Sequence, residues 1–365
     1  MHVYVHVPFC ARRCSYCDFA IAVRRETPNR QFVDAIAAEW RGRAGEWHAA
    51  GSVDTLYFGG GTPSRLVTGS IATIIDLVSA TVPLARDAEV TLEANPDDVT
   101  AERAGAWAAS GVNRISLGVQ SHDPHVLEWM HRTHRAEQVP GAMEVLRAAG
   151  INNISIDLIF ALPVTLERNW RDDLERTLGL DPTHVSLYGL TVEPHTPLFR
   201  WTERGTAAKP SDERYADEYI EAHERLTLAG FEHYEVSNAG RPACRSRHNS
   251  AYWSGADYLG LGPSAHSYHD GERRWNVREW ADYQTRSDAG ASIVAGSEVL
   301  GDEERRLERC YLGLRTRQGV RLTDLPPVAQ RWCEEGWATV SEGVVRLTVE
   351  GWLRLDALVG GTSHS

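Results

Sequence analysis

Residues 7–19 read VPFCARRCSYCDF, and three of them, Cys10, Cys14 and Cys17, govern how every later segment is interpreted. Their spacing, C-x3-C-x2-C, lets one short loop wrap three thiolates around a cubane, whereas a closed [4Fe–4S] site takes four protein ligands. One iron is therefore left open. Zinc is the competing reading, with His6 as the fourth ligand. Structural zinc usually takes two separated ligand pairs, however, and His6 lies on an apolar run that reads as a strand pointing at the loop.

An iron with a free position can chelate the amino and carboxylate groups of S-adenosylmethionine (SAM) and pass an electron into its sulfonium. In this the loop resembles the signature of the radical SAM superfamily. Composition sets the wider frame. The chain has 365 residues, 42% of them hydrophobic, enough for one large domain, a small companion and a substantial core. It shows neither a charged segment leading into an apolar leader nor an apolar run of bilayer length. A cytoplasmic protein is expected, where reducing conditions keep thiolates available and disfavour disulfides among the six cysteines. Cys244, Cys310 and Cys333 are widely scattered and read as free thiols. The formal charge of −12, from 38 basic and 50 acidic residues, argues against binding to nucleic acid phosphates.

From residue 1 to about residue 235, short β-branched runs alternate with longer amphipathic ones, a βα repeat. Strands are expected at Val3 to Phe9, Thr55 to Phe58, Glu89 to Glu93, Arg114 to Val119, Ser155 to Phe160 and His184 to Leu187. Helical periodicity covers Asn29 to Trp47, Ala136 to Ala149 with Gly150 as a stop, and Leu166 to Leu178. Six such units predict an α/β fold with a parallel, partial (β/α)6 barrel, since full closure needs eight. Residues 236–300 show few helical or strand periods and read as a connecting loop region. Residues 301–365 predict a small winged-helix-like domain: helices at Asp302 to Leu314 and Leu325 to Glu335, then short runs at Ala338 to Val340 and Val344 to Leu347. Its arginines are balanced by acids, so a structural or docking role is favoured over DNA binding.

The polar motifs fall at strand ends, where parallel α/β sheets carry their chemistry. Gly59, Gly60 and Gly61 in YFGGGTP allow close approach of backbone to a ligand, although alone they would read as a tight turn. Glu93 in TLEANP and Gln120 in SLGVQS place a carboxylate and an amide at consecutive strand ends, suited to ribose hydroxyls and an ammonium. Arg132 is then a partner for the SAM carboxylate. Asp157 in SIDLIFALP has apolar flanks and is expected to be a buried, hydrogen-bonded carboxylate.

The runs HVPFCARRCSYCDF, YFGGGTPSRL, LEANPDD, RISLGVQS, DLIFALP and GLGPSAHS together resemble the oxygen-independent coproporphyrinogen III oxidase family over nearly the whole chain. Within it, the chain is most similar to the HemW-type heme chaperones. Motif by motif, the resemblance implies SAM contacts at Tyr4, Tyr16, Gly60, Gly61, Thr62, Glu93, Gln120, Arg132 and Asp157, with Gly189 and His266 completing the set. Two departures separate the chain from the oxidase proper. Phe19 stands where the oxidase has a further cysteine, and only nine residues precede Cys10 where the oxidase has a long extension. The run His248-Asn249-Ser250-Ala251-Tyr252-Trp253 matches the HNxxYW pattern of the chaperones. Imidazole is a common heme ligand and the aromatic pair can lie against a macrocycle. A packing role for His248, or Cys244 as a soft iron ligand, is the alternative.

The resemblance thus implies a heme chaperone holding a [4Fe–4S] cluster, SAM and heme. Its expected partners are apo-hemoprotein acceptors, a second copy of itself as a homodimer, and peripheral membrane contact where acceptors reside. The rival readings are oxidative decarboxylation of coproporphyrinogen III and a radical SAM methyltransferase on the same scaffold.

Overall fold

In the computed structural model, which describes residues 1–360, the cysteine loop leaves the first strand of an open arc. The large sheet comprises β1 (His2–Val7), β2 (Val53–Gly60), β3 (Leu84–Ala94), β4 (Arg114–Gln120), β5 (Asn153–Phe160) and β6 (His184–Gly189). It continues with β7 (Glu232–Glu235), β8 (Asn238–Gly240), β9 (Tyr258–Leu261), β10 (His266–His269), β11 (Glu272–Asn276) and β12 (Val294–Val299). The spatial order is β12-β11-β10-β9-β1-β2-β3-β4-β5-β6-β8-β7, a line rather than a ring. The barrel is therefore partial, as expected.

All six expected parallel strands are present, and parallel ladders join β1 through β6, with register shifts at Val53/Thr55 on β2 and Gly118/Gln120 on β4. Strand β5, NISIDLIF, is buried at nearly every position because helices and sheet cover both its faces. Between the strands run α1 (Asn29–Arg43), α2 (Thr68–Thr81), α3 (Ala101–Ala109), α4 (Gln138–Ala148), α5 (Trp170–Gly179) and α6 (Asp212–Leu228). On α1, Phe32, Ala35, Ile36 and Trp40 bury one face at helical spacing. The helix expected to reach Trp47 ends at Arg43 and continues as a 3-10 segment, since Gly42 and Gly45 weaken the last turns. Asn169 and Ser211 accept from backbone N–H groups to start α5 and α6.

Residues 236–300 are not the connecting loop region that their composition suggested. They supply β8 to β12, α7 (Arg247–Trp253) and α8 (Trp280–Asp288), and β9 pairs in parallel with β1, adding a seventh parallel strand. These strands are short and glycine-flanked, so their alternation is too brief to register in the sequence. The parallel partner of β9, β1, lies more than 200 residues away, which no local pattern records, whereas β10 to β12 pair with their neighbours in the chain. The C-terminal unit contains α9 (Asp302–Leu314), β13 (Val320–Arg321), α10 (Ala329–Glu334), β14 (Ala338–Ser341) and β15 (Val344–Leu347). Its antiparallel order is β13-β15-β14, with α9 before β13 and α10 between β13 and β14. It packs on the barrel through the Arg315–Glu235 ion pair at 3.2 Å and the contact of Trp352 with His233, ring centroids 5.0 Å apart. One continuous apolar cluster runs from Val3 and Leu56 to Trp332 and Val345.

Candidate functional site

The cysteine loop is closed at its base by a short parallel pair, Phe9–Cys10 with Ala22–Val23. Ala22 N–H donates to Pro8 O at 2.7 Å and Arg24 N–H to Cys10 O at 2.9 Å. The Phe9 ring packs edge-on against Phe32 and Trp280, with centroids 5.5 and 5.1 Å away. Residues 11–21 are thus held over the C-terminal rim of the arc by an apolar anchor.

Beneath the loop lies a chamber of about 350 Å³, within the size range of small-molecule sites. Cys10, Cys14, Tyr16, Cys17, Gly60, Gly61, Thr62, Glu93, Gln120, Arg132, Asp157 and Gly189 all line it. The strand ends therefore gather twelve of the residues singled out from sequence. Tyr4 and His266 do not reach it; both line a neighbouring cleft instead. Asn95, Ser116 and Tyr188 also line the chamber and were not singled out. Asn95 and Tyr188 sit at or next to the rim end of a strand, the signal that would have found them, whereas Ser116 lies inside β4.

The glycine run has a steric cause beyond a tight turn. A Cβ on Gly61 would lie 2.8 Å from the Pro8 carbonyl carbon and 3.0 Å from Cys10 Sγ. Gly60 has φ +110°, and its Cβ would sit 2.6 Å from the His6 ring. The end of β2 therefore lies flush against the cysteine loop. Gly189 has a different reason: its Cβ would strike the Tyr215 ring at 2.1 Å, so packing explains its size without a ligand.

Burial raises the Cys10 thiol and pushes Cys17 up to about 12, so the loop's own environment favours protonated sulfur and a thiolate here needs a positive partner. Thr62 Oγ1 donates to Cys10 Sγ at 3.4 Å, and Arg132 Nη1 to Cys14 Sγ at 3.6 Å. The other Arg132 amino group donates to Asn95 Oδ1 at 2.6 Å and Gly118 O at 2.8 Å, while its buried Nε has no partner. Arg132 is thus bonded to the cysteine loop and the β4 rim rather than standing free. His6 is also committed, its Nε2–H donating to Ala20 O at 2.9 Å and its Nδ1 accepting from Tyr4 at 3.2 Å. It is therefore not the fourth zinc ligand. Among the described residues, no group of three or more His, Cys, Asp and Glu side chains is disposed around a single metal ion.

Glu93 accepts from Tyr57 Oη at 2.8 Å and Gly60 N–H at 3.1 Å, and burial pushes its carboxyl up to about 7. Asp157 accepts from Ser116 Oγ, at 3.0 and 2.9 Å, and from Ser155 Oγ at 3.1 Å; burial raises its pKa against those bonds. It is the hydrogen-bonded carboxylate its flanks suggested. Gln120 holds φ +67°, a left-handed conformation unusual for a residue with a side chain and typical of functional strand ends.

His248 is a correction to the heme assignment read from HNxxYW. It is buried at 1% exposure, with Nδ1 hydrogen-bonded to Thr55 at 2.6 Å and Nε2 to Tyr252 at 2.8 Å. Burial lowers its pKa to about 3. Both ring nitrogens are used, so no lone pair is available to iron. Asn249 donates its backbone N–H to the Ser246 cap at 3.3 Å and lines neither cavity. Glu89 accepts from the N–H groups of Arg247 and His248, both at 3.0 Å, and fixes the start of α7. The motif pins this helix, and Tyr252 and Trp253 at its end line the cleft. Cys244 lines neither cavity; it sits in the turn after β8, its N–H donating to Arg241 O at 2.9 Å.

The donor set fits a three-cysteine cluster loop: three free thiols on one short loop, and glycine backbone against which a Cβ would collide. Residues 4–177 match the Radical SAM superfamily. A heme chaperone HemW of Mycobacterium tuberculosis is 39% identical over 98% of this chain and 93% of its own length. One from Synechocystis is 37% identical over 90% of this chain and 81% of its own length. The structure of the Escherichia coli coproporphyrinogen III oxidase HemN superposes with a TM-score of 0.83 at 23% identity, covering 99% of this chain and 89% of that one, a likeness of fold.

Proposed function

Because the chain belongs to the radical SAM superfamily and, within it, to the HemW heme chaperone family, we propose that it binds heme and delivers it to apo-hemoprotein acceptors. The observation that carries this reading is the full-length relationship, 37–39% identity over 90–98% of the chain. The family implies a [4Fe–4S] cluster and SAM, which when bound supply one-electron chemistry at the open iron. Cys10, Cys14 and Cys17 would hold the cluster. Thr62 and Arg132 bring donors to two of those sulfurs. Glu93 and Asp157, with Gly60 and Gly61, form the polar cradle for SAM. The Glu93 carboxyl carries or releases a proton near neutrality, so it can meet an ammonium as its carboxylate.

Action in the cytoplasm agrees with the six free thiols. No helix among the described residues is long and apolar enough to cross a membrane, so we propose that membrane-bound acceptors are met peripherally. Homodimerisation is best tested by sedimentation of the cluster-loaded chain.

The test is anaerobic: cluster-reconstituted protein loaded with hemin is mixed with an apo-cytochrome, and the acceptor's Soret band is followed. Heme moving faster from the loaded protein than from free hemin supports the chaperone. No transfer, together with conversion of coproporphyrinogen III to a vinyl product, would put the oxidase reading in its place.

A further inference from the structure

Beside the chamber lies a cleft of about 560 Å³ that shares Asp18, Phe19, Gly60 and Glu93 with it and is otherwise lined by different residues. Its walls are aromatic: Tyr252 and Trp253 from α7, Tyr258 from β9, Tyr268 from β10 and Phe19 from the cysteine loop. Such walls suit a flat macrocycle. Phe19 is 59% exposed, so the residue in the position of the oxidase's extra cysteine presents an open ring at the cleft. Trp253 carries the Arg315 guanidinium over its ring at 4.2 Å, and its buried Nε1–H has no partner.

Two histidines line this cleft, His6 and His266. His6 has both ring nitrogens engaged. His266 is exposed, and its described contact is stacking of its ring on Trp275, centroids 6.0 Å apart and planes 26° from parallel. Its nitrogens are free for iron. The side chain is nevertheless held on rigid backbone. His266 opens β10 and pairs with Trp275 across the ladder, and the GLGPSAHS turn presses against it. A Cβ on Gly260 would lie 2.0 Å from His266 O, and one on Gly262, at φ +97°, would lie 2.5 Å from His6 O. These glycines admit the close backbone approach that sets His266 at the rim.

Charge completes the picture. Arg273 is consumed by ion pairs to Glu298 at 2.8 Å and Glu308 at 2.5 Å. Arg278 is exposed and makes one described hydrogen bond, from Nη2 to Asp18 O at 2.6 Å. Its remaining donors are oriented by that bond and available for a carboxylate.

Resting on the heme-chaperone reading above, we infer that the heme cargo docks in this cleft with His266, not His248, on its iron and Arg278 at a propionate. The neutral imidazole donates a lone pair to ferric iron, displacing a weakly held water with no change of oxidation state. An exposed single ligand at the rim suits a cargo that must leave. The cleft and the chamber share Asp18, Phe19, Gly60 and Glu93, so occupancy of one is felt at the wall of the other.

The test is a hemin titration of the full-length, cluster-reconstituted chain, comparing wild type, His266→Ala, His266→Cys and Arg278→Ala, with hemin dimethyl ester run in parallel. The 4Fe–4S absorbance of each variant confirms folding. His266→Ala should weaken binding at least about tenfold, the scale of a lost axial ligand worth 1.4 kcal/mol or more. His266→Cys should bind with a thiolate-type Soret and electron paramagnetic resonance signature, a change that a purely structural role would not produce. Arg278→Ala should weaken hemin but not its dimethyl ester. Wild-type affinity and spectrum in both His266 variants would overturn the assignment while leaving the chaperone intact. Failure of the wild type to bind hemin saturably would remove the chaperone reading itself.

Discussion

The chamber and the cleft lie back to back across Gly60 and Glu93, yet they are assembled in opposite ways. The chamber is built from strand ends in chain order: the cysteine loop after β1, the glycines ending β2, Glu93 near the end of β3, Gln120 ending β4, Asp157 on β5. Each residue belongs to a short local motif, and the parallel topology delivers all of them to one rim. The cleft draws Tyr4 and Phe19 from the N-terminus, Trp253 and His266 from the middle, and Glu308 and Leu312 from α9. No motif spans it. A site made by topology can be read from motifs, whereas one made by packing of distant segments cannot.

Removing one of the three thiols proposed to hold the cluster is the largest perturbation of this contrast. Cys14→Ala should abolish iron and sulfide content after anaerobic reconstitution, yet leave hemin binding at the cleft. Loss of both together would mean that the two cavities are one functional unit. Full iron and sulfide in the variant would refute the ligand assignment.

His248→Ala comes next. It removes hydrogen bonds to Thr55 and Tyr252 from a fully packed position and should cost about 3 kcal/mol in denaturant unfolding. The Soret position of bound hemin should not move, because the imidazole is a structural pin. Its pH dependence has a defined sign. The folded pKa, about 3, lies below the ordinary 6.5, so the unfolded chain binds the extra proton. The stabilisation is complete above about pH 6.5 and declines as pH falls towards 3. The stability gap between wild type and variant should therefore shrink in acid, and a gap constant from pH 7 to 5 would contradict the burial argument.

Gly189→Ala tests whether that glycine serves SAM or packing. With its Cβ 2.1 Å from the Tyr215 ring, overpacking should cost about 2 kcal/mol of stability. A Tyr215→Leu background, with the obstructing ring gone, should restore most of it. No rescue would return Gly189 to the SAM site.

The smallest effect concerns Glu93 on the shared wall. Its folded pKa, about 7, lies above the ordinary 4.5, so the folded state holds the proton more tightly. This contribution is present below about pH 4.5 and is lost as pH rises through 7. Glu93→Gln should gain stability over wild type between pH 5 and pH 8 in the absence of SAM. With the carboxyl partly open to water, the gain is about 1 kcal/mol rather than the full shift. A calorimetric pH series would show it, and an opposite slope would mean that Glu93 is already ionised against a cation.

By itself the sequence determined the alternation of six strands and helices, the three-thiol loop and the polar residues at the rim. These depend on periodicity and spacing, which are local and survive without knowledge of the partners. Asp157 was legible for the same reason, since a carboxylate between apolar neighbours on a strand must find hydrogen-bond donors. Tertiary structure alone decided the rest. Strand β9 is four residues long and gains its identity from pairing with β1. His248 looks like a ligand in a motif until Thr55 and Tyr252 take both of its nitrogens. His266 looks like one more strand-end residue until β11 places Trp275 beneath it. Whether a histidine can bind iron depends on which of its nitrogens remains unpaired, and pairing across nearly 200 residues is settled only when the chain has folded.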